Sequence, residues 1–142
     1  MTAFVVDTNV IVRVMLNDDK LQARIACDAL ASASMVIVPT HVFCEVAWVM
    51  QSIKTDAGER RYSHDSIAAG IRRFIEFDHV VIAEDEVEAG LQMLDAGGDF
   101  ADGVIEYTGR GLARGAAAAF LSFDKNAVST LAKRGLSALL PQ

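Results

Sequence analysis

Short apolar runs, Ala3–Val6, Met35–Val38, Val80–Ala83 and Ala119–Phe123, recur along the chain with longer amphipathic stretches between them. This alternation constrains the fold more than any other feature. Runs so short and so rich in Val, Ile and Phe suit strands buried by helices on their faces. Strands that alternate with helices build an α/β domain around a mostly parallel sheet. Ser137–Leu140 supplies a last edge strand.

The stretches between the runs read as helices. After the turn residues Asn17-Asp18-Asp19, Leu21, Ile25 and Leu30 fall at helical spacing within Leu21–Ala33. Pro39 closes the second apolar run, because it cannot continue a central strand. Thr40 is then placed to N-cap a helix from His41 to about Ile53, with Val42, Val46, Val49, Met50 and Ile53 as its apolar stripe. Thr55–Ser63 is polar, contains Gly58 and reads as a loop or lid, and Ile67, Ile71, Phe74 and Ile75 mark the next helix. A helix from about Asp85 to Ala96 stops at Gly97-Gly98, where glycine accepts the left-handed C-cap conformation. Asp99 opens another through about Ala113, and residues 126–134 are helical. With no linker, repeat or low-complexity segment, the 142 residues are expected to form a single domain, 1–142.

No run of 18 apolar residues is present to span a membrane, and the start of the chain lacks the basic n-region and long apolar h-region of a signal peptide. Cys27 and Cys44 lie in apolar surroundings without metal-ligand spacing, as reduced thiols packed like small hydrophobes. The expected location is cytoplasmic. The formal net charge of −6 argues against a nucleic-acid partner. A carboxylate cluster around a cation would account for part of that charge. The 13 basic residues also come partly in pairs, Arg60-Arg61, Arg72-Arg73 and Lys133-Arg134, which ordinarily are solvated surface.

Open α/β sheets bind ligands beyond the carboxyl ends of their strands. Asp7 and Asp124 each follow an apolar run directly, in Phe4-Val-Val-Asp7 and Phe120-Leu-Ser-Phe-Asp124. Each by itself reads equally well as a helix N-cap. Glu45 lies at the edge of the stripe made by Val42, Val46 and Val49, close to the core side, where an unpaired carboxylate is costly to desolvate. Asp102 stands similarly beside Val104, Ile105 and Leu112, in a first helical turn that favours acids in any case. Asp99 and Glu106 are reserve ligands. Four acids converging on one pocket repel one another unless protonated or metallated. Oxygen-only ligands select a hard cation, Mg²⁺ or Mn²⁺. His41, His64 and His79 are scattered and form no competing cluster.

The ordered set Phe4-Val-Val-Asp7-Thr-Asn-Val, Glu45 after Val38-Pro39-Thr40, Asp99-Phe-Ala-Asp102 and Phe120-Leu-Ser-Phe-Asp124-Lys resembles the PIN-domain nucleases, and within them the VapC-type toxins of bacterial toxin–antitoxin pairs. The resemblance spans residue 4 to about residue 140. It implies a three-layer α/β/α sandwich with a central parallel sheet. It also implies that Asp7, Glu45, Asp102 and Asp124 are the catalytic metal ligands of an endoribonuclease that leaves 5′-phosphate and 3′-hydroxyl ends. Transfer or ribosomal RNA as substrate, a small VapB-type antitoxin partner and a homodimer follow from the same resemblance. Thr8 and Asn9 match polar positions that support the first acid, and Ser122 matches a hydroxyl position near the fourth. Gly103 departs from the family, which often has Ala there; a helix-interior Gly weakens its turn by roughly 1 kcal/mol.

Two other readings compete. An aspartyl-phosphate enzyme of the haloacid-dehalogenase type also begins with a strand and an Asp, but needs an acid two residues later, where this chain has Asn9. A non-catalytic PIN-like module that grips RNA or a partner without cutting is the alternative; retention of all four acids in type weighs against it. Residues Asp56 to Arg73, charged yet interrupted by Ile67 and Ile71, read either as a partner surface or as a solvated helix pair.

Overall fold

The structure, a computed structural model, describes residues 2–142. Met1, where the reading of the chain start begins, lies outside the described residues. The chain forms two compact units, Met1–Ala83 and Glu84–Gln142.

The first unit runs β1 (Ala3–Val5), α1 (Thr8–Leu16), α2 (Lys20–Ser32), β2 (Met35–Ile37), α3 (Thr40–Ser52), α4 (His64–Ile75) and β3 (Val80–Val81). Its strands lie in the order β1-β2-β3, all parallel, with Phe4 opposite Val36 and Ile37 opposite Val81. Bonds from Val6 N to Ile37 O (2.9 Å) and Val38 N to Val81 O (3.0 Å) continue the ladder just past the strand ends. Ile11, Val36, Val38, Phe43, Val46, Ile67 and Ile71 are fully buried, and Phe43 meets Phe74 edge to face at 6.5 Å between centroids.

Four details differ from what the sequence predicts. Helix α1 carries no signal there, because its Val10, Ile11, Val12 and Val14 are β-branched and lose rotamer freedom in a helix. It forms because Asp7 caps it, with Ile11 buried beneath. In α2, which packs against α1, the buried residue is Ala23; Leu21 and Ile25 lie on the opposite side, 70% and 59% exposed. Thr40 is the first helical residue of α3 rather than its cap: Pro39 takes the cap position without a side-chain bond, and Thr40 Oγ1 is buried without a hydrogen-bond partner. Cys27 is exposed rather than packed, and neither it nor Cys44 forms a disulfide.

The second unit runs α5 (Glu84–Asp95), α6 (Phe100–Leu112), β4 (Phe120–Leu121), α7 (Lys125–Lys133) and β5 (Ala138–Leu139). β4 and β5 are parallel, with Phe120 opposite Ala138. Helix α5 ends as expected at Gly97, whose φ of +85° lets Gly97 N reach Leu94 O (2.9 Å) and Gly98 N reach Met93 O (2.9 Å). α5 and α6 pack closely, burying Val87, Leu91, Met93, Leu94 and Phe100. The close approach is made at Gly103, where a Cβ would lie 2.5 Å from Ala89 O and 2.7 Å from Met93 Cβ. The glycine that costs helix propensity is therefore what admits the neighbouring helix. No helix among the described residues is long and apolar enough to cross a membrane.

Candidate active site

Parallel strands bring all their carboxyl ends to one edge of a sheet. In the first unit that edge carries Asp7, two residues beyond β1, and the start of α3, which follows β2. Asp7 caps α1, its Oδ1 accepting from Thr8 N at 2.7 Å. Thr8 also turns its hydroxyl to Glu45, donating to Oε2 at 2.6 Å. One residue thus ties the first acid to the second, although 37 positions separate Thr8 and Glu45 in the chain. The family resemblance implies that Thr8 supports Asp7; its backbone bonds to Asp7, while its side chain serves Glu45.

Glu45 is exposed rather than near the core. The buried face of α3 includes Phe43 and Ala47 besides Val42, Val46 and Met50. That moves its centre away from Glu45, which lies roughly 130° round the helix at about 100° per residue.

In the second unit Asp124 follows β4 and caps α7, its Oδ1 accepting from Asn126 N and Ala127 N, both at 3.0 Å. Ser122 shapes this turn by accepting from Asp124 N at 3.0 Å. Capping occupies Oδ1 of both Asp7 and Asp124 and leaves Oδ2 of each without a hydrogen bond among the described residues. The capping and ligand readings of these acids are therefore compatible.

Asp102 lies half-buried in the first turn of α6. Burial, then the charges of Asp99 and Asp124, push its carboxyl up from 3.8 to about 6. These three acids are thus electrostatically coupled. The buried face of α6 is Phe100, Gly103 and Glu106, while Ile105 and Leu112 are exposed. Glu106, a reserve ligand, is committed elsewhere: Arg110 Nε and Nη2 donate to its two oxygens at 2.7 and 3.0 Å. Asp99 holds the N-cap position of α6 without a side-chain cap bond.

Asp7 and Glu45 are thus brought together in one unit, and Asp102 and Asp124 in the other. Within neither unit do three or more His, Cys, Asp or Glu side chains among the described residues form a group that could hold a metal ion. The donor chemistry nonetheless fits a hard divalent cation. Mg²⁺ is commonly bound through one or two carboxylates with retained waters. Each unit offers a carboxylate pair, and the burial and like charges that raise Asp102 are what a cation would offset.

No curated protein and no solved structure matches the chain. Among protein families, the PIN domain matches it over residues 4–133. PIN domains are nuclease-type α/β folds with parallel strands; their members are typically nucleases and generally use divalent metals. The match takes in both units, all four acids and nearly the whole sequence, and on that ground the chain belongs to the PIN domain family.

Proposed function

We propose that the chain is a metal-dependent endoribonuclease and, within its family, a VapC-type toxin held in check by a small VapB-type antitoxin and acting as a homodimer. The observation that carries the reading is the Asp102 carboxyl, held above its usual range by burial first and by the charges of Asp99 and Asp124 second, negative charge of the kind a divalent cation offsets. Asp7, Glu45, Asp102 and Asp124 are the proposed metal ligands. Bound Mg²⁺ or Mn²⁺ supplies Lewis-acid activation of the phosphodiester and of the attacking water. The chain's part is orientation. Thr8 fixes Glu45, and the caps of α1 and α7 fix Asp7 and Asp124, each with its second oxygen unspent. The substrate class is structured RNA, transfer or ribosomal, cut to 5′-phosphate and 3′-hydroxyl ends.

The test is incubation of purified protein, free of any antitoxin, with total cellular RNA in Mg²⁺, in Mn²⁺ and in EDTA, alongside Asp7→Asn. Discrete fragments that need the metal and vanish in the variant are expected. Intact RNA under every condition, with tight metal-independent RNA binding, would replace the nuclease with the binding module. For the toxin role, expression of the chain alone arrests growth and Asp7→Ala relieves the arrest; equal arrest by both refutes it.

Thr8 gives a finer prediction. Thr8→Val removes the donor to Glu45 while keeping the shape, and is expected to weaken Mg²⁺ binding by about 10–100-fold. Thr8→Ser restores it. Calorimetric titration of the metal decides the matter, and equal affinity in the Val variant removes Thr8 from the site.

A further inference from the structure

Although the formal net charge is −6, basic residues stand together at several places along the chain. One is the hairpin that joins α3 to α4. Its backbone is closed by bonds from Thr55 N to Glu59 O (2.8 Å), Gly58 N to Thr55 O (2.9 Å) and Arg61 N to Ile53 O (3.0 Å). Gly58 turns the tip at φ +80°. The Thr55 hydroxyl adds to these bonds, its Oγ1 accepting from Glu59 N at 3.3 Å, while the side chains of Lys54, Arg60 and Arg61 are exposed on the hairpin and take no part in closing it.

Lys54 and Arg60 pair directly as an antiparallel bridge. Residues paired in this way project to the same face, and two like charges so placed are unfavourable unless an anion joins them. Neither they nor Arg61 have a carboxylate partner among the described residues; Asp56 and Glu59 sit nearer the tip and bond to none of the three. By contrast, Arg13 lies 3.4 Å from Asp18, and Arg110 is clamped by Glu106. The hairpin arginines meet rings instead. Arg61 Cζ stands 5.6 Å from the centroid of Tyr62, and Arg60 Nη1 donates to His64 Nε2 at 3.4 Å.

Opposed cations without counter-ions, next to an aromatic ring already engaged by a guanidinium, form a surface that suits a phosphate backbone and a splayed base. We propose that this hairpin is an RNA-binding element of the protein: Lys54 and Arg60 take backbone phosphate, and Arg61 with Tyr62 offers a stacking surface. The element deepens the nuclease reading above, by placing part of the substrate on the α3–α4 hairpin, and rests on that reading for its role in cleavage.

Binding of a fluorescently labelled single-stranded RNA, followed by anisotropy in EDTA, tests the element independently of cleavage. Each phosphate contact on single strands adds about 0.7 to the slope of log affinity against log salt. In the triple variant Lys54→Gln, Arg60→Gln, Arg61→Gln the slope is expected to fall by about 1.4, for the two phosphate contacts of Lys54 and Arg60, with binding at roughly 0.1 M salt weaker on the order of 25-fold. The charge-keeping triple Lys54→Arg, Arg60→Lys, Arg61→Lys retains the wild-type slope. Should the neutral triple fail to fold, Lys54→Gln alone reads half of the slope change, about 0.7.

Wild-type slope and affinity in the neutral variants overturn the proposal. So does a wild-type protein with no salt-sensitive RNA binding, the result expected if the hairpin instead docks an acidic protein segment. Metal-dependent cleavage by the wild type, measured in parallel, separates the two readings. Hairpin-dependent binding without cleavage sinks the nuclease alone, and cleavage with unaltered binding sinks the hairpin alone.

Discussion

Asp102→Asn is expected to abolish function and stabilise the metal-free protein at the same time. The charged form of Asp102 is disfavoured in the fold by burial first and by Asp99 and Asp124 second, so that its carboxyl titrates near 6 instead of 3.8. Between those values the folded state binds more protons than the unfolded chain, and its stability falls as pH rises. The favourable contribution is complete below about 4, is lost as pH rises through about 6, and is absent at neutral pH. Such a displacement corresponds to about 3 kcal/mol for a fully buried group. Asp102 is only half-buried and water screens it, which leaves about 1 kcal/mol.

An amide cannot ionise, so the Asn variant should melt higher than wild type above pH 6 by a few degrees, roughly 2–4 °C per kcal/mol for a chain of this size. It should also lose the decline between pH 4 and 6. RNA cleavage should fall on the order of 100-fold or more, as when a preorganised electrostatic group is removed from an active site. Millimolar Mg²⁺ should raise the melting temperature of wild type at pH 7 and leave Asp102→Asn unmoved. Melting curves across pH, with and without the metal, decide this. A variant less stable than wild type at pH 8 would show that Asp102 is held by favourable contacts and is not under electrostatic strain.

Gly103→Ala should destabilise the protein, although helix propensity alone predicts a gain of about 1 kcal/mol. The methyl group would enter space 2.5 Å from Ala89 O and 2.7 Å from Met93 Cβ. A backbone carbonyl in a packed helix cannot step aside as a side-chain end can, so α5 and α6 must separate. Overpacking of this kind costs about 1–3 kcal/mol, and a contact with backbone belongs at the upper end. A melting temperature lower by roughly 5–10 °C is expected. Because Asp102 is the neighbouring residue on α6, the same displacement moves a proposed ligand, and cleavage should fall at temperatures where the variant is still folded. Unchanged or higher stability would mean that the helices close without contact at this point.

Gly103 also shows where local reading stops. By itself it is a weak spot in a helix, and its value appears only when α5 is laid against it. The alternation of strands and helices was legible because a two-residue or 3.6-residue period is written locally, and Asp7 and Asp124 were legible because each directly follows an apolar run. The turn at Gly97-Gly98 and the opening of α6 at Asp99 were legible for the same reason, since caps act on adjacent backbone. Helix α1 was not, because β-branched residues carry no helical signal until Ile11 has a core to enter.

Other assignments required partners distant in sequence. Leu21 and Ile25 have helical spacing, yet only packing on α1 decided that Ala23 faces inward. Glu45 was correctly placed on a helix but on the wrong side of its apolar edge, because Phe43 and Ala47 joined the buried face. Its contact with the Thr8 hydroxyl crosses 37 positions and could not be read from either residue. Nothing in the sequence left Lys54 opposite Arg60 without an acid, whereas the pairing of Glu106 with Arg110 is a local contact four residues apart on one face of α6. The sequence by itself determined the residue types, the periods and the order of the acids along the chain. Which carboxylates are buried, electrostatically strained or joined across the chain was decided only by the tertiary structure, because electrostatic energy depends on distance through space and on burial.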